Sequence, residues 1–447
     1  MPLKYAGDLE HIYGAFNNHP VAKEDLDAFY KEASTVRGKN PKSRMARLLR
    51  NNPDRNEHIL FAGYKGCGKS TELNYLDKEL TDEFLVLNIS IHDELDPVNL
   101  EYIELFIIMM ERLFVAAVED KLKISTEYLK SVQLWATSTE INRVSEKYNL
   151  SGGLDMGGEL STSMLAKFFG KFRLTAKTSK QFKQVLKTEI EPRLSDLIRH
   201  CNDLVAEIQI QLAKKSGKRD LLIILEDLDK IPADRSYDLF YNYVSQLTQI
   251  RTNVIYTFPA ALFYSNTRYN QIRSHFTQVY ELPMIKVVER NGKVSEEGLR
   301  LMQEVIKARM DADRLFANPE LLNKMIRYSG GVLRDLFLMI QEAADNALDF
   351  GRDTIEEEDW QAAFNSLKRD YNSNIADFRD GDKLYEAETY LEILTHLAQS
   401  EEKLVLNTEE VMHLRSNLCI LAYNNGSDWT DVHPIVKALL RDRNLLA

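Results

Sequence analysis

His58-Ile59-Leu60-Phe61-Ala62-Gly63-Tyr64-Lys65-Gly66-Cys67-Gly68-Lys69-Ser70 is the stretch on which the reading of this chain turns. His58–Gly63 reads as a short buried strand, and from Gly63 the sequence matches G-x-x-x-x-G-K-[ST] in full. Thr71 follows, and Leu73, Leu76 and Leu80 share one face at helical spacing, so a helix is expected over Thr71–Leu80. Strand, glycine loop and helix in that order make a phosphate cradle. Glycines let backbone N–H groups curl around phosphates, and the helix N-terminus adds partial positive charge. The expected nucleotide contacts are Gly63, Tyr64, Lys65, Gly66, Cys67, Gly68, Lys69, Ser70 and Thr71. Lys69 is expected to reach the β- and γ-phosphates, and the Ser70 hydroxyl to ligate Mg²⁺.

Working outward, Leu221–Leu225 is a run of five apolar residues that ends in Glu226-Asp227-Leu228-Asp229. It reads as a central parallel strand closed by an acidic cluster. In P-loop enzymes one such carboxylate holds Mg²⁺ and a neighbour polarises the attacking water. Glu226 takes the metal and Asp227 the base role if the strand ends at Leu225; a shift of one residue swaps them. A third strand, Asn253–Phe258, carries Thr257 near its end, where many P-loop folds place a polar residue that senses the γ-phosphate. The expected fold class is α/β, a parallel P-loop NTPase sheet with a helical insertion and helical regions after it.

Bulk properties narrow the setting. The chain has 447 residues, 44% of them hydrophobic and 28% charged, which describes a globular protein with room for several domains. No apolar run approaches the roughly 18–20 residues needed to span a bilayer. The N-terminus lacks an apolar signal core, and three scattered cysteines fit a reducing cytoplasm rather than a disulfide or zinc pattern. A net charge of −11 argues against a uniformly basic nucleic-acid binder.

Between the phosphate loop and the acidic strand lie about 150 residues, far more than a crossover requires. About 100–215 reads as a largely helical insertion within a core of 1–285. Ser151–Gly158 is turn-rich, and Ser161–Thr188 holds Lys167, Lys171, Arg173, Lys177, Lys180, Lys183 and Lys187 with no acidic residue. Phe168, Phe169, Phe172 and Phe182 are interleaved. This pattern suits a nucleic-acid backbone, an anionic surface or an acidic partner; equally, it suits phenylalanines packed inward under solvated lysines. After the core, 286–375 reads as helical, with an apolar stripe from Leu336 to Leu348. The stretch 384–447 reads helix, helix, hairpin, helix, with its turn at Asn424–Asp428.

The loop, the acidic strand end and Ser329-Gly330-Gly331-Val332-Leu333-Arg334-Asp335 together resemble the AAA+ and STAND-like branch of P-loop ATPases. Bacterial signalling and defence ATPases and origin-recognition ATPases are similar in these motifs. The resemblance implies a lid over 286–375 whose Arg334 leans onto nucleotide as a second sensor. It implies an arginine finger offered to a neighbouring subunit, for which Arg273 matches better than Arg268. It also implies a winged-helix-like module over 384–447. With five basic against ten acidic side chains, that module suits protein contact better than DNA. The function so implied is ATP hydrolysis driving a switch, in a homo-oligomer or on a separate effector protein. A nucleic-acid-loading ATPase and a nucleotide-binding scaffold with negligible turnover are the alternatives.

Overall fold

The computed structural model describes residues 3–446 apart from 53–54, 151–159, 216, 381–382 and 425–427. The turn-rich Ser151–Gly158 and the tip of the Asn424–Asp428 turn therefore lie outside the described residues. Five parallel strands form the central sheet: β1 (His58–Gly63), β2 (Phe84–Ser90), β3 (Asp220–Glu226), β4 (Asn253–Pro259) and β5 (Gln278–Leu282). Their order is β2-β3-β4-β1-β5. Strands of this sheet alternate between two apolar faces, as burial on both sides of a parallel sheet requires. Ile59, Phe61, Leu222, Ile224 and Ile255 pack with the helices Pro41–Asn51 and Lys69–Leu80. Leu60, Ala62, Leu221, Ile223, Leu225, Val254 and Tyr256 face the insertion.

The insertion is helical, as its sequence suggests. Tyr102–Glu119 is apolar almost all round and packs between the sheet, Thr162–Thr178 and Leu194–Lys215. The phenylalanines of the basic segment all point inward: Phe168, Phe169, Phe172 and Phe182 are buried, and Phe114 stacks on Phe169 at 5.8 Å. Three of the segment's seven cations are paired with carboxylates of the chain. Arg173 pairs with Glu94 at 3.0 Å and with Glu111, Lys183 with Glu104 at 3.1 Å, and Lys187 with Glu101 at 3.0 Å. Lys177 donates to the Asp93 carbonyl. Exposed Lys167, Lys171 and Lys180 are what is left of the patch.

Helices Glu296–Lys307, Pro319–Tyr328, Leu333–Asp349 and Glu357–Ser373 build a second apolar cluster. The first residues of the chain join this cluster through Leu9, Ile12, Phe16 and Val36, so the N-terminal segment packs on the helices of 286–375. After these come helices Ala387–Gln399 and Glu409–Ser416, the antiparallel pair Ile420–Asn424 and Asp428–Val432, and helix Pro434–Asp442. Strand Ile420–Asn424 is buried along its length. Its Leu421, Ala422 and Tyr423, with Trp429, pack among residues of β1 and the phosphate-loop helix. No helix among the described residues is long and apolar enough to cross a membrane.

Candidate nucleotide site

Parallel register brings Gly63 of β1 level with Pro259 and Leu282, and Ser90 of β2 level with Glu226. The carboxyl ends of the strands therefore share one rim, the place where open parallel sheets bind ligands. Gly66 and Gly68 carry φ of 76° and 101°, values that an L side chain adopts only under strain. A Cβ on Gly66 would also lie 2.9 Å from Cβ of Arg334, so glycine is needed where helix Leu333–Asp349 meets the loop. Helix Lys69–Leu80 starts directly after Gly68 and points its unpaired N–H groups into the loop.

Lys69 is buried. Its ammonium donates to the carbonyls of Gly63 and Tyr64, each at 2.8 Å, and pairs with Asp229 at 2.9 Å. Burial pushes the Asp229 carboxyl up, but the Lys69 charge outweighs it and holds the group below its ordinary value. Glu226, the last residue of β3, accepts from Asn88 at 2.7 Å and from the Ser70 hydroxyl. Asp227 turns the other way. With φ of 69° it leaves the strand, accepts from Ser90 at 2.7 Å and pairs with Lys230.

Burial pushes the Glu226 carboxyl up to about 7, partly offset by its bonds from Ser70 and Asn88. A buried carboxylate beside a hydroxyl, short of positive charge, is a fitting donor pair for Mg²⁺. Among the described residues no cluster of three or more acidic, His or Cys side chains could hold a metal. A Mg²⁺ held by Ser70 and Glu226 would thus complete its shell from phosphate oxygens and water, its usual mode. Because the ligand must be ionised, Mg²⁺-dependent nucleotide affinity is expected to rise as pH climbs through about 7 and to flatten above 8. Without ligand the sign reverses. The folded state binds this proton more tightly than the unfolded chain, so stability falls as pH rises from about 4.5, the ordinary value, to about 7 and is level above. Glu226→Gln is expected to remove both slopes in titrations at pH 6, 7 and 8.

The other sites expected from sequence fall as follows. Thr257 is buried on β4, accepts from the Leu228 N–H at 2.9 Å and donates to the Leu225 carbonyl at 3.3 Å. Its hydroxyl ties the turn after β3 to β4. Arg334, at the start of Leu333–Asp349, lines the cleft with Lys69 and Ser70 and makes no ion pair with a described residue. Its neighbour Asp335 is taken by Tyr371 at 2.6 Å and by His433 at 3.2 Å. Arg273 ends helix Asn266–Arg273, is exposed, and interacts with Tyr269 rather than with this cleft. Arg268 stacks over Tyr237 at 4.7 Å.

Three residues were not legible as site residues in the sequence. Asp229 was visible only as the last acid of the cluster after β3. Arg37, buried, donates to the Cys67 carbonyl at 2.7 Å and to the Pro283 carbonyl, bracing the loop from the N-terminal segment. Arg309 donates to the Ala15 carbonyl at 2.7 Å and lies over the Phe337 ring at 4.7 Å. Burial without an acidic partner pushes its guanidinium down to about 10. Neither arginine stands in a motif, so no sequence signal marks it. The cleft runs from Lys69, Ser70, Asp229 and Arg334 to an apolar end lined by Phe29, Ile285, Leu301, Val305 and Phe337. One end is charged, the other apolar.

A parallel α/β sheet with a glycine loop running into a helix, and a lysine and a serine at its rim, is a P-loop nucleoside-triphosphatase fold. No protein-family model matches the chain, and no curated protein sequence is similar to it. Among solved structures, the ORC2 protein of Aeropyrum pernix is similar over 97% of this chain and 98% of its own, at 12% identity and a TM-score of 0.43. A Walker-type ATPase of Pyrococcus abyssi is similar over 96% and 99%, at 13% identity and a TM-score of 0.41. The RuvB Holliday junction branch migration motor of Thermotoga maritima follows over 93% and 98%, at 10% identity and a TM-score of 0.35. At such values no residue role passes from those proteins to this chain.

Proposed function

We propose that this chain binds ATP with Mg²⁺ and hydrolyses it as a conformational switch of the AAA+ or STAND-like kind. The observation that carries the reading is the convergence of Lys69, Ser70, Glu226 and Arg334, from separate parts of the chain, on one rim next to an apolar pocket. In that arrangement Lys69 and the loop N–H groups bind the phosphate chain, Ser70 and Glu226 hold Mg²⁺, and Arg334 reaches the phosphates from the lid. Mg²⁺ supplies charge neutralisation of the leaving diphosphate. Asp227 or a neighbouring carboxylate orients the attacking water.

The output of the switch runs through the C-terminal stretch, a winged-helix-like module. It grips the nucleotide site at two points. Arg415 donates to the Tyr64 hydroxyl of the phosphate loop at 2.7 Å, and Tyr423 donates to the Gly330 carbonyl of the lid turn at 2.7 Å. A shift of loop or lid on nucleotide exchange is thus felt directly by this module, which then controls a second copy or an effector protein in bacterial signalling or defence. The cytoplasm is the setting. The loading of nucleic acid through 161–188 is the second reading: Arg173, Lys183 and Lys187 are paired with the chain's own carboxylates, while Lys167, Lys171 and Lys180 are exposed and free to meet phosphates.

Phosphate release from ATP by the full-length protein, with and without Arg334→Ala, tests this reading. Turnover in the parent and a drop of about tenfold or more in the variant are expected, from loss of one charge-assisted phosphate contact. A parent that binds ATP yet releases no phosphate would leave a nucleotide-binding scaffold instead.

A further inference from the structure

We propose that Asp229 is a built-in competitor of the phosphate chain: it holds Lys69 when nucleotide is absent and surrenders it when nucleotide enters. The proposal rests on the nucleotide-binding reading above and concerns how that site is regulated.

An ammonium has three N–H donors. Two of those of Lys69 are spent on the Gly63 and Tyr64 carbonyls, both at 2.8 Å, and the ammonium is held in an ion pair with Asp229 at 2.9 Å. A phosphate oxygen that approaches the ammonium from the cleft therefore meets a carboxylate already beside it. The two carbonyls belong to the loop that must wrap the phosphates. Asp229 is the one anionic partner, and it lines the cleft beside Lys69, Ser70 and Arg334. A carboxylate and a phosphate oxygen offer the same ammonium the same kind of bond, so occupancy by one excludes the other.

Release of Lys69 would leave a buried carboxylate unpaired, which is costly unless another cation takes over. Two stand ready. Lys230 and Lys65 both already act electrostatically on Asp229. Lys65 and Asp229 also line a second cleft, together with Phe378, His413 and Arg415 of the C-terminal stretch. Asp229 stands between the two clefts, so its change of partner carries the state of the first into the wall of the second.

A merely structural role predicts the opposite sign from competition. Loss of a fold anchor weakens ligand binding; loss of a competitor tightens it. The test is titration calorimetry of MgATP and MgADP on full-length parent, Asp229→Asn and Asp229→Ser, the serine variant covering a failure of the amide to fold. A fall in Kd of tenfold or more in the variants is expected. Binding by the variants alone, with none by the parent, also supports the proposal. Equal or weaker affinity in the folded variants, with a parent that binds, overturns it while leaving the nucleotide reading intact. No binding by any of the three proteins overturns both.

Discussion

Lys69→Met is expected to abolish ATP turnover, by at least about a hundredfold, and to cost the nucleotide-free protein about 3 kcal/mol of stability. Methionine keeps the length of the side chain and loses its charge. On the catalytic side, the phosphate chain loses the cation that reaches its terminal groups, and no other lysine of the loop replaces it. Lys65 is the nearest candidate, yet it faces the second cleft. On the stability side, Asp229 is left 6% exposed with its closest counter-charge gone, and two loop carbonyls lose a donor. The two effects separate in the double variant. Lys69→Met with Asp229→Asn is expected to regain most of the stability, since no buried charge is orphaned, but none of the turnover. Urea denaturation and phosphate release on the three proteins check this. A single variant as stable as the parent would show that the buried pair contributes nothing.

Gly331→Ala is expected to damage stability and nucleotide affinity together. Gly331 has φ of 85°, and a Cβ built there would lie 1.8 Å from the Ile285 carbonyl oxygen. Such an approach is impossible without moving the backbone between β5 and helix Glu296–Lys307. Left-handed strain alone costs about 1–2 kcal/mol, and forced overpacking adds about 1–3 more. Arg334 lies three residues on, so nucleotide affinity is expected to fall together with stability. Gly292 supplies the control. It has a similar φ of 81° but open space around its would-be Cβ, so Gly292→Ala should show the strain without the clash and leave nucleotide affinity unchanged. Equal losses in the two variants would mean that the contact with Ile285 is soft.

How much of this was legible in the sequence depended on whether a feature is local. Four of the five sheet strands were legible in the sequence: β1, β3 and β4 as runs buried on both faces, such as Leu221–Leu225, and β2 as the apolar stretch Phe84–Ile91. β5, Gln278–Leu282, was not: it is an edge strand, mostly half-exposed, with no apolar run to mark it. The basic segment 161–188 was ambiguous for a related reason. A lysine bound for solvent and one bound for a buried carboxylate look alike until the helix that carries Glu104 and Glu111 is placed beside it. Sequence spacing likewise could not tell which of Glu226 and Asp227 lies beside Ser70. That depended on one backbone angle, the φ of 69° that swings Asp227 toward Ser90 and leaves Glu226 beside Ser70.

By itself, then, the sequence determined the phosphate loop, because G-x-x-x-x-G-K-[ST] constrains the backbone over eight adjacent residues, and the chemistry of that backbone travels with them. It determined the α/β class, since strand and helix periods are written within single elements. Only the tertiary structure decided what the loop lysine does when alone and what braces the loop. It also decided where the C-terminal stretch takes hold. Asp229, Arg37, Arg415 and Tyr423 reach the loop and lid from points scattered across the chain, and partners made by packing leave no spacing to read.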